Sequence, residues 1–331
     1  MSSMNDIINE MLSNGIRDGV FPCFAAAVGK DDEIIFKSFG GDRCIFPARE
    51  ALTENTLFDM ASLSKLIGTT MAALKMAVEG KISLESKLED YFDCCHGKEK
   101  ITVFQLLTHT SGIKAHFPLY LRGISPDDAV TEILKEELGY STGSNAVYSC
   151  MGFILLGKIL ERIENEPLDR IVRRYVFDPL KMKNSTYCPE GRDCAATEKD
   201  IFTKEIIRGE VHDENARFLG GISGNAGIFS DLGDCIKFAQ MLSRKGRGYL
   251  PEELFKYAIS NLTPNFSEGR GLGFQRIGRL YGHTGFTGTS LYVDNESGRY
   301  AILLTNRVHP TRENTKLIPF RREFHKTVFG E

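Results

Sequence analysis

Ser62-Leu63-Ser64-Lys65 heads the run Leu66-Ile67-Gly68-Thr69-Thr70-Met71-Ala72-Ala73-Leu74-Lys75-Met76-Ala77-Val78, so a hydroxyl and an amine stand three residues apart where an apolar helix begins. Three residues advance a helix by about 300°, which projects Ser62 and Lys65 from nearly the same face. The run behind them is apolar on almost every side, the mark of a buried helix. Burial predicts a lysine of lowered pKa, and a neutral amine could take the serine proton. Ser-x-x-Lys also heads ordinary helices with solvated lysines, so the spacing needs partners elsewhere in the chain.

Composition narrows the possibilities. The chain has 331 residues, 42% hydrophobic and 26% charged, which suits one large domain or two moderate ones. A formal net charge of -3 and the absence of any large Lys/Arg cluster argue against nucleic acid or an anionic membrane as a partner. No run is long enough for a transmembrane helix. Met1 to Leu12 is amphipathic, without the basic and apolar regions of a secretory signal, so the expected location is the cytoplasm. The eight cysteines are scattered and are expected to be free thiols. Cys94-Cys95-His96 lacks a second ligand pair at zinc spacing, and no metal is expected there.

The pattern along the chain changes twice. After a helix over about 4–18 come two strand-like runs, Phe24 to Gly29 and Glu33 to Phe39, joined as a hairpin across Lys30-Asp31-Asp32. From about 62 to 245 the periodicity is mostly helical, as in Val103 to Leu107, Ala129 to Leu138, Gly152 to Ile163 and Leu168 to Val176, with Gly220 to Gly227 the most prominent loop. Strands return in Arg279 to Tyr281, Thr289 to Val293 and Tyr300 to Thr305, and a last helix is expected over about 313–328. This order predicts an α/β (α+β) fold: an antiparallel sheet built from both termini, flanked by terminal helices, with a large helical insertion. The expected division is 1–60 with 246–331 for the sheet and 61–245 for the helical part. A cleft between the two is the natural place for a small-molecule site.

If Ser62 is a nucleophile, a proton relay and groups around the reacting carbonyl must come from elsewhere. Tyr148 precedes the apolar helix that starts near Met151, and His283-Thr284-Gly285 follows a strand and opens a Gly-rich turn. A phenol held near cations can shuttle a proton, and an imidazole or hydroxyl at a strand edge can hold a carboxylate. Each residue also has a plain structural role open to it.

Taken together and in this order, Ser62-x-x-Lys65, the Tyr148 region and His283-Thr284-Gly285 resemble the serine β-lactamase and penicillin-binding protein superfamily. The similarity is greatest to the branch of class C β-lactamases, D-Ala-D-Ala carboxypeptidases, D-aminopeptidases and related esterases. It extends over Phe58 to Lys65, Leu106 to Ile113, Gly220 to Ser230 and Gly282 to Thr289, and so over nearly the whole chain. The resemblance implies that Ser62 attacks an ester or amide carbonyl to form an acyl-enzyme, while Lys65 and Tyr148 move its proton. It implies an oxyanion hole from the backbone N–H groups of Ser62 and Phe286. Cys150, His283, Thr284, Gly285 and Thr287 become substrate-binding candidates, and neither metal nor cofactor is implied.

Two positions depart from the pattern. His283 stands where a lysine is common, and would hold a carboxylate less strongly when neutral. Cys150 stands where the branch has Asn, so recognition of acylamino groups and β-lactams is weakened, whereas esterolysis is not. The expected function is therefore a serine hydrolase of small esters or amides. The alternatives are a D-Ala-D-Ala carboxypeptidase or class C-type β-lactamase, and a penicilloyl-binding or sensing module that acylates without turnover. His109 in Thr108-His109-Thr110-Ser111-Gly112 reads as structural, and Val211-His212-Asp213-Glu214-Asn215 as a polar loop bordering the cleft.

Overall fold

The computed structural model describes residues 3–200 and 203–330. Helix α1 (Met4–Arg17) starts at a capping box in which the Ser3 hydroxyl accepts from the Asp6 amide, and it buries Ile8 and Leu12. The hairpin β1 (Cys23–Lys30) and β2 (Glu33–Cys44) follows as the two strand-like runs predict, with the short β3 (Glu50–Ala51) beyond it. β4 (Phe58–Asp59) leads into a wide π-helical stretch, Lys65–Thr70, continued by α2 (Met71–Val78).

The middle of the chain supplies α3 (Val103–Leu107), α4 (Ala129–Lys135), α5 (Cys150–Glu164), α6 (Leu168–Val172), β5 (Thr186–Tyr187), α7 (Glu214–Phe218) and β6 (Ile228–Ser230). Then come α8 (Leu232–Ser243), α9 (Glu252–Ile259), β7 (Gly269–Arg270), β8 (Gln275–Ile277), β9 (Leu280–Thr284), β10 (Ser290–Asp294), β11 (Arg299–Thr305) and α10 (Leu317–Phe329). Eight strands form one sheet in the order β3-β2-β1-β11-β10-β9-β8-β7, and β4-β6-β5 form a small second one. Every strand pair is antiparallel, and Phe24 lies opposite Thr305, so the sheet is assembled from both ends of the chain. The fold is the α/β arrangement expected from the sequence.

The two-residue period of the strands sorts the core. Phe24, Ala26 and Val28 of β1 and Ala301 and Leu303 of β11 pack under α1 and α10, against Leu12, Phe324 and Val328. Their neighbours Ala25, Ala27, Tyr300, Ile302 and Leu304 join the larger core beneath the helices of the middle segment. Central strands covered on both faces read as continuous apolar runs, which is why Tyr300 to Thr305 stands out in the sequence. The small second sheet is not predicted from the sequence, since pairings of two residues leave no periodicity to detect. No helix among the described residues is long and apolar enough to cross a membrane.

Candidate active site

Ser62 does not lie inside a regular helix. The amides of Leu63, Ser64 and Lys65 bond to the carbonyls of Met60, Ala61 and Ser62 at 3.0, 3.0 and 3.1 Å, a chain of tight turns that leads into the π-helical stretch. Ala61 sits in the left-handed region at φ 45°, held there by a 2.8 Å bond from its amide to Asp59 Oδ1. This turn, rather than α-helical spacing, sets Lys65 Nζ 3.1 Å from Ser62 Oγ. The amine also donates to the Asn225 carbonyl at 2.8 Å. Ser64 faces away, its hydroxyl accepting from the Ile228 amide.

The Asn225 carbonyl reaches Lys65 because the 220–227 loop lies directly on α5. A Cβ on Gly224 would sit 2.0 Å from the Phe153 carbonyl, so only glycine allows this approach. Tyr148 comes from the turn before α5, where Ser149 caps the helix by accepting from Gly152 N. His109 fixes that turn: its carbonyl accepts from Val147 N and its Nδ1 from Ser149 N, both at 3.0 Å. It thus has the structural role expected of it.

Lys65 Nζ lies 4.9 Å from the centre of the Tyr148 ring. Among the described residues the buried Tyr148 hydroxyl, His109 Nε2 and His283 Nε2 meet no hydrogen-bond partner of good geometry, although Lys65 and Ser62 lie near enough to the phenol to pull its pKa down. Burial raises the phenol pKa to about 12 despite the opposing pull of Lys65. For Lys65, burial alone lowers the pKa, as the sequence predicts. The Cys150 and Tyr148 side chains outweigh that effect and hold the amine above the ordinary lysine range. The resting pair is thus ammonium and phenol, and loss of one proton belongs to the pair rather than to either residue.

A cavity of about 330 Å³ opens over Ser62 and is lined by Ala61, Ala115, His116, Tyr148, Cys150, His212, Asp213, Glu214, Ala226, Phe286 and Arg312. It lies between the middle segment and the end of the sheet, and the Val211 to Asn215 loop borders it. Phe286 follows β9 beyond the point where β8 stops pairing, since Gln275 opposite Gly282 is the last pair. Gly285 is required there, because a Cβ would lie 2.5 Å from the Met60 carbonyl and 2.1 Å from Thr289 Oγ1. This close approach brings the backbone beside Phe286 up to the Ser62 turn. Among the described residues no group accepts from the Ser62 or Phe286 amides.

None of His283, Thr284, Gly285 and Thr287 lines the cavity. Thr287 is buried and donates its hydroxyl to the Asp59 carbonyl at 2.7 Å, so it ties the turn after β9 to the segment that leads into Ser62. Thr284 ends β9 opposite Ser290. His283 packs on Tyr148 with ring centres 5.7 Å apart, and its Nδ1 donates to the Thr284 carbonyl at 2.7 Å. Burial, then Arg270 and Lys65, push its pKa down to about 3, which keeps the imidazole neutral.

Glu198 and Arg312 carry no signal in the sequence, and Asp59 and His212 stand out there only as parts of longer segments. Asp59 accepts from the amides of Ala61 and His212, joining the Ser62 turn to the cavity rim. His212 stacks on Phe286 with ring centres 5.6 Å apart and donates Nε2 to Glu198 at 2.9 Å. Burial opposes ionisation of Glu198, but His212 and Arg312 overcome it and hold the carboxyl at about 2. Arg312 also bonds Glu214 at 2.6 Å, so its guanidinium is already engaged where it meets the cavity. Among the described residues no group of three His, Cys, Asp or Glu side chains is arranged to hold a metal ion.

The chain belongs to the Beta-lactamase family, whose sequence profile matches residues 8–326. The N-acetylmuramyl-L-alanine amidase of Bacillus subtilis (strain 168) is 30% identical over 361 aligned positions, covering 91% of this chain and 80% of that protein. A Salmonella agona (strain SL483) protein provisionally named D-alanyl-D-alanine carboxypeptidase is also 30% identical, covering 91% of this chain and 82% of its own. Among solved structures, EstCE1, a hydrolase with promiscuous acyltransferase activity, superposes with a TM-score of 0.81 at 18% identity, covering 99% of this chain and 98% of that one. Family and relatives together mark a hydrolase of the β-lactamase and penicillin-binding protein fold.

Proposed function

We propose that this protein is a serine hydrolase that cleaves small esters or amides through an acyl-enzyme on Ser62. The observation that carries the reading is the 3.1 Å contact of Lys65 Nζ with Ser62 Oγ at a cavity that Ser62, Tyr148 and Phe286 line. Ser62 Oγ bonds to the substrate carbonyl carbon as its proton passes to the Lys65–Tyr148 pair. The carbonyl oxygen takes the negative charge between the amides of Ser62 and Phe286. When the tetrahedral adduct collapses, the pair returns that proton to the departing alcohol or amine, and water later releases the acyl group by the same steps.

Because the resting pair holds its protons, the reactive form is the pair with one proton removed. Its share grows with pH, so acylation should rise through neutrality and continue into the alkaline range. Esters suit this site best. Cys150 offers no amide to an acylamino group, and His283, Thr284 and Thr287 leave a substrate carboxylate without a receptor on the strand side. The names of the 30%-identical relatives favour a second reading, hydrolysis of an amide in a cell-wall-type peptide. Turnover and intact-mass measurements with p-nitrophenyl acetate, nitrocefin and an acyl-D-Ala-D-Ala peptide separate the two. Ester turnover exceeding peptide turnover is expected, peptide turnover alone would favour the second reading, and no adduct on Ser62 with any of them would overturn both.

A further inference from the structure

Tyr148 is covered by a second cation that nothing in the motif pattern announces. Arg270, in β7, is only 4% exposed, and its guanidinium carbon lies 5.4 Å from the centre of the Tyr148 ring. The position is built rather than incidental. The Arg270 amide donates to Thr263 Oγ1 at 2.8 Å, its carbonyl accepts from Leu262 N at 2.7 Å, and its side chain is ion-paired with Glu268. Its Nε is buried without an acceptor among the described residues. A buried guanidinium held against a phenol ring favours the phenolate, and low local dielectric strengthens the effect.

The groups around Tyr148 can be named element by element. Lys65 approaches from the π-helical stretch, Cys150 from the head of α5, His109 from the loop after α3, His283 from β9 and Arg270 from β7. The two imidazoles are kept neutral, chiefly by burial and then by Arg270, so they bring no charge to the phenol. That leaves two cations. Lys65 exchanges protons with Tyr148, whereas Arg270 acts as a fixed field.

We propose that Arg270 is a positioning residue that sets how readily Tyr148 gives up its proton, and that Glu268, at the solvent edge, tunes this by partly neutralising the guanidinium. The inference rests on the reading of Tyr148 as proton relay, but its test does not require activity. Tyrosine labelled with 13C at Cζ reports ionisation of each ring, and Tyr148→Phe assigns the signal.

In Arg270→Gln the Tyr148 titration should move up by roughly half to one pH unit, and Arg270→Lys should recover part of that shift. Glu268→Gln leaves the guanidinium uncompensated and should move it the opposite way. The Glu268 side chain is 47% exposed, so this second variant has little reason to misfold and decides the question if the first fails to fold. If alkaline unfolding cuts the titration short, the rate of Ser62 acylation at pH 7.5 gives the same signs: roughly three- to tenfold lower in Arg270→Gln, higher in Glu268→Gln. An unmoved Tyr148 signal and rate, or shifts of the same sign in both variants, would overturn the proposal. A hydrolase that never acylates Ser62 yet shows opposite phenol shifts would overturn the function and leave this inference standing.

Discussion

The two walls of the cavity are made in different ways. On the helical side, side chains do the work: Ser62, Lys65 and Tyr148 meet because a tight turn and a capped helix start aim them at one another. On the sheet side Phe286 lines the cavity, while His283 and Thr287 are turned into bonds with the Thr284 and Asp59 carbonyls. Motif residues can therefore line the cavity on one wall and be tied into the architecture on the other. The difference comes from the two-residue period of a strand, which hands alternate side chains to the interior.

The contrast breaks most visibly at Tyr148. Tyr148→Phe should lower acylation by about 10²- to 10⁴-fold with little change in folding, as for loss of a proton-transfer group. A loss below tenfold would move the relay elsewhere. His283 should instead register in stability. Its folded pKa of about 3 lies below the ordinary histidine value, so the unfolded chain takes up the proton first as the pH falls. Stability should therefore decline between about pH 6.5 and 3, and His283→Gln should reduce the slope by up to about 1.4 kcal/mol per pH unit. Urea midpoints measured at several pH values would show it, and an unchanged slope would mean that the imidazole titrates normally.

Thr287→Val should cost about 1–2 kcal/mol of stability, because the buried Asp59 carbonyl loses a donor, and should leave the Michaelis constant for an ester nearly unchanged. A rise in that constant without loss of stability would restore Thr287 as a substrate contact. The smallest effect belongs to Cys150, which lines the cavity. Cys150→Asn should raise acylation by nitrocefin about two- to tenfold, the worth of one hydrogen bond, with ester hydrolysis nearly constant. No gain would place the acylamino pocket elsewhere.

Much of this was readable in the sequence, for identifiable reasons. The apolar runs Phe24 to Gly29 and Tyr300 to Thr305 give the central strands away because both their faces are buried. Ser62 and Lys65 are legible because three residues of local chain decide their contact, whether the turn is helical or not. Orientation at a strand end is not local: whether Thr287 faces substrate or Asp59 depends on a pairing with residues more than two hundred positions away. The same holds for Arg312 and Glu198, which meet across a loop, and for Arg270, whose place beside Tyr148 is set by a two-residue strand. The charge state of Lys65 also escaped, since it depends on Cys150 and Tyr148 as well as on burial.

The central claim is that the turn after Asp59 presents Ser62, and not Ser64, to substrate. Intact-mass spectrometry of the wild-type protein, Ser62→Ala and Ser64→Ala during exposure to p-nitrophenyl acetate tests it directly. The expected result is one acetyl adduct on the wild type, mapped to Ser62, with none on Ser62→Ala and most of the rate kept by Ser64→Ala, whose lost bond to Ile228 should cost only about 1 kcal/mol of stability. Equal loss in two folded variants, or an adduct that persists in Ser62→Ala, would contradict it.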